Sequence, residues 1–188
     1  VRLGLFGGTF DPPHLGHLLA ASDAIDALAL DQVLLIPNAA QPLKGTVTPP
    51  AAAADRLAMT RLLVAGDPRF QVDPIEVDRG GLSFMVETVR AIAAREPGAA
   101  LFLLLGADAA ATLPEWRDPD RLAELVEIVV LTRAGTVASP PPGLRQLPTR
   151  RVDISSTEIR ARVRAGLPLT GFVPDAVADY LRRHAVYR

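Results

Sequence analysis

The sequence predicts an α/β fold, a doubly wound parallel sheet with a small helical C-terminal part, and three observations carry that prediction. Short apolar runs alternate with Ala- and Leu-rich segments of helical periodicity over the first 133 residues, the order from which parallel sheets are built. Several runs end in a glycine or polar turn that leads directly into the next helical segment, the place where such sheets hold ligands. At 188 residues the chain is long enough for one domain with a sizeable core, and no stretch reads as an interdomain linker. Residues 1–154 read as the sheet-bearing core and 155–188 as the helical part.

Taken in order, residues 3–6 are the first strand, and 18–30 place apolar and alanine residues at helical spacing. Residues 32–36 are the second strand, which stops at Pro37 and opens into a loop through Lys44. Residues 46–53 are rich in proline and alanine and read as mobile; Asp55 opens a helix over 55–65 that closes at Gly66. Residues 70–77 read as a strand, or as two broken at Pro74. A turn at Asp78-Arg79-Gly80-Gly81 then leads to a helix over 83–95, with Ser83 as its cap.

Residues 101–105 are the most apolar strand and belong at the centre of the sheet. They run into a helical start at Gly106-Ala107-Asp108 and a bend at 114–117, followed by a helix over 119–125 and a strand over 128–131. The segment 139–143 is too proline-rich for helix or sheet. Residues 152–154 are a last short strand, Ser155-Ser156-Thr157-Glu158 opens a helix that ends at Gly166, and 174–184 form a terminal amphipathic helix.

Composition narrows the function. Hydrophobic residues make up 49% of the chain, yet no apolar run reaches the length of a membrane span and the first residues lead straight into a strand, so a soluble, cytoplasmic protein without a membrane partner is expected. The absence of cysteine excludes disulfides, thiolate metal sites and thiol catalysis. A net charge of -1 gives no general attraction to nucleic acid. Oligomeric state is open, and a homo-oligomer is compatible with this composition. Lys44 is the only lysine among 20 basic residues, which singles it out as a place where a compact ammonium is needed.

The stretch Gly7-Gly8-Thr9-Phe10-Asp11-Pro12-Pro13-His14-Leu15-Gly16-His17 lies between a strand and a helix. That order aims backbone N–H groups and a helix N-terminus at an anion, with a hydroxyl and two imidazoles beside them. A structural turn with surface histidines and a zinc pair are the competing readings, and no third ligand stands at familiar metal-site spacing. Further polar residues collect at later strand ends: Lys44, the run from Gly106 to Trp116 with Arg133, and Ser155 to Arg160. Together they imply one polyanionic ligand, which a triphosphate fits better than a carboxylate.

The first stretch resembles the GGTFDPxHxGH signature of the nucleotidylyltransferase superfamily. Leu105-Gly106-Ala107-Asp108, Leu113-Pro114-Glu115-Trp116, Val129-Val130-Leu131-Thr132-Arg133, Ile154-Ser155-Ser156-Thr157-Glu158-Ile159-Arg160 and Val173-Pro174 with Tyr180 are similar, collinearly, to the bacterial nicotinate-nucleotide adenylyltransferase family. The resemblance implies a Rossmann-like fold and the reaction of ATP with nicotinate mononucleotide to give deamido-NAD and pyrophosphate. It implies that Gly7, Gly8, Thr9 and Phe10 with His14 and His17 lie at the phosphates, His17 against the reacting α-phosphate. It gives Ser156 and Arg160 the ATP phosphates, with Ile154, Ser155, Thr157, Gly106 and Arg133 in the same ATP site, Asp108 a ribose, and Trp116 the pyridine ring. Lys44 corresponds to the lysine of the family's Pro-His-Lys loop, although Leu43 replaces the histidine. His14, His17, Lys44 and Arg160 are thereby the expected catalytic set.

The acceptor's phosphate would attack the α-phosphorus of ATP directly, since the monoester is already ionised and no protein nucleophile is needed. Mg²⁺ would ride on the ATP phosphates, with no metal ligand from the protein, because no acidic cluster accompanies the motif. The alternatives are an adenylyltransferase acting on nicotinamide mononucleotide or phosphopantetheine, and a non-catalytic nucleotide sensor. The family's Ser-Tyr-Thr block is Ser83-Phe84-Met85 here, so a threonine donor is lost. Acceptor recognition is then expected from backbone N–H groups near Trp116 and Arg117.

Overall fold

The structure, a computed structural model, describes residues 1–44, 50–133 and 142–188. The side chains of Lys44 and Arg133, the first half of the Pro/Ala-rich stretch and the start of the 139–143 loop lie outside the described residues. Six strands form one sheet: β1 (Arg2–Gly8), β2 (Gln32–Pro37), β3 (Phe70–Val72), β4 (Ala100–Gly106), β5 (Glu127–Arg133) and β6 (Arg145–Thr149). Their order is β3-β2-β1-β4-β5-β6 with every pairing parallel, so the most apolar strand is central as expected. The helices are α1 (Leu15–Leu28), α2 (Ala53–Val64), α3 (Ile75–Arg79), α4 (Met85–Arg95), α5 (Ala107–Ala111), α6 (Pro119–Leu125), α7 (Ser156–Arg164) and α8 (Asp175–Arg183).

Period-two alternation divides each central strand between two cores. Phe6, Val33, Leu35, Phe102, Leu104, Val129 and Leu131 point to one face, where α1, α2, α7 and α8 bury Ala24, Met59, Ile159 and Val177. Leu5, Leu34, Ile36, Leu103 and Val130 point to the other, covered by α4 and α6 through Val86, Val89, Ile92 and Leu122. Strands buried on both faces explain the unbroken apolar runs of the sequence. The C-terminal helices share the first core with α1. Among the described residues no helix is long and apolar enough to cross a membrane.

Four expectations need correction. Residues 70–77 do not form an extended strand: β3 stops at Val72, and Ile75 and Val77 belong to α3, because after Pro74 the chain turns back toward β2 instead of running along the sheet. Residues 152–154 are not a strand either. The sixth strand is β6, and it contains Pro148, which the edge position tolerates because no further strand needs its missing N–H. Ser83 does not cap α4, whose N-cap is Phe84 without a side-chain bond. Its hydroxyl instead accepts from the Ala39 N–H at 3.0 Å. Finally, α1 starts at Leu15, three residues early, because the extended His14 presents its carbonyl to the N–H groups of His17 and Leu18 at 2.9 and 3.4 Å.

Candidate active site

The turn after β1 is shaped by close approach. A Cβ on Gly7 would come within 2.5 Å of Met85 Cε, and one on Gly16 within 2.9 Å of the His14 ring. Gly16 is therefore what lets the imidazole of His14 fold over the start of α1. Phe10 has a φ of 51°, a left-handed conformation costing a bulky residue about 1–3 kcal/mol. Its ring is held edge-on against Phe6 and His17, with centroids 5.8 and 5.1 Å apart.

Four side chains from distant parts of the chain pin this turn. Arg56 on α2 is 1% exposed. Its Nη1 donates to the Thr9 carbonyl at 2.7 Å and to Asn38 Oδ1 at 3.3 Å, its Nη2 to the Ala39 carbonyl at 3.1 Å, and its Nε to the Ala51 carbonyl at 3.3 Å. Burial pulls this guanidinium below its ordinary value, against the attraction of Asp11. Asp11 Oδ1 accepts from the Tyr187 hydroxyl at 2.5 Å and the Ala51 N–H at 3.2 Å; burial and that carboxylate push the Tyr187 phenol up. Arg160 Nη1 donates to the Asp11 carbonyl at 2.7 Å, and the Ser156 hydroxyl to the Pro12 carbonyl at 2.8 Å. Arg56 and Tyr187 escaped the sequence reading. Arg56 had a signal, since it falls on the apolar stripe of α2 with Met59, Thr60 and Leu63; Tyr187 had none nearby.

The rings of His14 and His17 lie against each other with centroids 3.8 Å apart and planes tilted by 34°. The His14 backbone N–H donates to His17 Nδ1 at 3.2 Å. Because that donor is a backbone amide, Nδ1 must be the accepting nitrogen, and the neutral ring carries its proton on Nε2.

Two cavities open on either side of Gly7, Gly8 and Ala109, at the carboxyl ends of β1 and β4 where the strand order reverses. The larger, about 350 Å³, brings together Phe10, His14, His17, Gly106 and Asp108, and adds Arg150, which pairs with Asp23 at 2.6 Å. The smaller, about 180 Å³, brings together Thr9, Ser83, Met85, Trp116 and Arg117, and adds Asn38, Gln41 and Glu76. Ile154, Ser155, Ser156, Thr157 and Arg160 are not among the residues lining either cavity. Ile154 packs on the core, Ser155 caps α7 by accepting from the Glu158 N–H at 3.1 Å, and Thr157 accepts from Arg160 at 3.1 Å. Lys44 ends a short 3₁₀ turn, and Arg133 ends β5; their side chains are outside the described residues.

In the smaller cavity Trp116 stands with its indole N–H donated to Thr112 at 3.1 Å. The Trp116 backbone N–H donates to the Leu113 carbonyl at 3.0 Å, which removes one of the two backbone donors expected to read the acceptor. Arg117 lies 3.3 Å over the Phe84 ring and pairs with Glu87 at 2.8 Å. Glu76 is 2% exposed and accepts from Thr88 at 2.7 Å. Its burial pushes the carboxyl up, opposed by the hydrogen bonds from Thr88 and Ser83 and by the Arg79 charge. Among the described residues no group of three or more His or carboxylate side chains is placed to hold a metal ion.

Comparison with known proteins agrees with this architecture. The cytidylyltransferase-like family matches residues 5–162. A Gemmatimonas aurantiaca protein named "probable nicotinate-nucleotide adenylyltransferase" is 52% identical over 201 residues, covering 100% of this chain and 93% of its own. A Thermus thermophilus protein of the same name is 44% identical over 189 residues, with 100% of both chains covered. Among solved structures, the Plasmodium falciparum nicotinic acid mononucleotide adenylyltransferase complexed with NaAD superposes with a TM-score of 0.77 at 13% identity, covering 99% of this chain and 97% of its own. The same enzyme complexed with APC gives 0.76 at 14% identity, with 99% and 96% covered. At that identity the two structures speak for the fold.

Proposed function

The chain belongs to the cytidylyltransferase-like family and, within it, to the nicotinate-nucleotide adenylyltransferases, and from that premise we propose that it transfers the adenylyl group of ATP to nicotinate mononucleotide, giving deamido-NAD and pyrophosphate. The observation that carries this reading is the pair of cavities meeting over Gly7 and Gly8. ATP occupies the larger, its ribose toward Asp108 and its α-phosphate at the shared wall, and the acceptor's ring occupies the smaller beside Trp116. One oxygen of the acceptor phosphate then bonds to the α-phosphorus as the bond to the bridging oxygen breaks and pyrophosphate leaves. No covalent enzyme intermediate is required.

The chain's contribution is alignment and charge stabilisation. His17, fixed as an Nε2–H donor by the His14 amide, bonds a nonbridging oxygen of the α-phosphate as negative charge grows there. Lys44 and Arg133 meet the departing phosphates. Ser156 and Arg160 hold the turn that carries the histidines through its Pro12 and Asp11 carbonyls, and act on the phosphates from that position. Mg²⁺ bound with ATP would supply neutralisation of the phosphate charge. The signature's own carboxylate, Asp11, is buried with Oδ1 engaged by Tyr187 and Ala51, so the ion would be carried by the nucleotide.

A pyrophosphate-release assay offering ATP with nicotinate mononucleotide, nicotinamide mononucleotide or phosphopantetheine tests the reading. Release should be fastest with the nicotinate compound. Dominant release with another acceptor would reassign the substrate, and ATP binding without release from any of the three would make the protein a sensor.

A further inference from the structure

We infer that the side-chain amide of Gln41 reads the substituent on the acceptor's pyridine ring, making Gln41 a specificity-determining residue of the smaller cavity; the inference rests on the adenylyl-transfer reading above. Gln41 stands in the wall of that cavity. Its Oε1 is buried with no hydrogen-bond partner among the described residues. Native proteins keep few such atoms, because a buried carbonyl oxygen without a donor is destabilising, and one beside a binding cavity calls for a ligand group.

Several of the other polar groups around the cavity already have partners. The Ser83 hydroxyl accepts from the Ala39 N–H and bonds the Glu76 carboxyl. Thr88 donates to the same carboxyl. Asn38 donates to Thr9 and accepts from Arg56. Both N–H groups of Trp116 are engaged, the indole by Thr112 and the backbone by Leu113. Met85 has no donor to offer. A ring lying against Trp116 therefore presents its substituent to a wall in which the Gln41 amide stands with Arg117 to meet it.

The anchoring of the loop puts this amide on the appropriate rim. The Ser83 N–H donates to the Ala40 carbonyl at 2.9 Å, and Ala40 pairs with Leu82. Gln41 is thus tied beside Ser83, Phe84 and Met85, the block in which the threonine hydroxyl of the family is lost. Its terminal torsion is soft and nearly two-fold, so either amide atom can turn to the ligand. Oε1 as it stands would accept from a carboxamide substituent, and with the amide turned over the Gln41 NH₂ would donate to a carboxylate.

The test is steady-state kinetics of the full chain with Gln41→Leu and Gln41→Glu, using ATP and either nicotinate or nicotinamide mononucleotide. Gln41→Leu should lower kcat/KM for the nicotinate compound by about tenfold to a hundredfold, mostly through its KM, as expected for a lost hydrogen bond to a charged group. The KM for ATP should not move, which also reports an intact fold. Gln41→Glu should lower the nicotinate-to-nicotinamide ratio of kcat/KM further, because a carboxylate repels the acid yet still accepts from the amide. Ratios within twofold of the unaltered protein in both variants would overturn the assignment while leaving the proposed reaction standing. Failure of the unaltered protein to release pyrophosphate with either acceptor would instead overturn the reaction itself.

Discussion

His17 owes its chemical state to a neighbour's backbone. With Nδ1 accepting from the His14 amide, its Nε2–H is a donor fixed before the substrate arrives, which is the condition for electrostatic stabilisation without reorganisation. His17→Ala should lower kcat by about 10²–10³ while changing the KM for ATP little. Near-normal turnover, measured by pyrophosphate release, would remove His17 from the mechanism. These two histidines, Gly16 and Trp116 were legible in the sequence because the features that define them are local: a motif without gaps and a single tryptophan at a bend. Gln41 and Glu76 were not, since what makes them notable is the cavity wall they share with Ser83, Phe84 and Met85, and no one-dimensional pattern reports that juxtaposition.

The elements around the turn show where helix and strand readings succeed and where they stop. Periodicity located α1, α2, α4, α6 and α8 to within a few residues because each buries an apolar stripe. It misread residues 70–77, where Ile75 and Val77 fit a strand period and a single helical turn equally well. It also missed β6, whose Pro148 argues against any but an edge strand. Contacts between elements were the least legible, and one of them is testable. The Tyr187 hydroxyl and the Ala51 N–H, just ahead of α2, converge on Asp11, so the HxGH turn is held from two distant parts of the chain. Tyr187→Phe leaves the buried Asp11 carboxylate with one donor fewer, and chemical denaturation should show a loss of about 1.5–3 kcal/mol, the worth of a hydrogen bond to a charged group. No change in stability would mean that the turn does not depend on this tie.

Across the molecule, the order β3-β2-β1-β4-β5-β6 sends the chain outward in opposite directions from β1 and β4, and the crevice this leaves at their carboxyl ends is where both cavities lie. The alternating runs announced the doubly wound sheet, and the glycines ending β1 and β4 marked the crevice. What the sequence could not announce is the division of that crevice into a larger and a smaller chamber, because Met85, Trp116 and the 38–41 loop reach it from three separate connections. In the proposed reaction the acceptor phosphate and the α-phosphorus would meet directly between the two chambers, with no protein atom carrying the adenylyl group between them. Rapid-quench single turnover with ATP labelled at the α-phosphate, in the presence of nicotinate mononucleotide, examines this step itself. Label should pass from ATP to deamido-NAD with none on the protein at any time; adenylylated protein that forms and decays at the rate of product formation would contradict direct transfer.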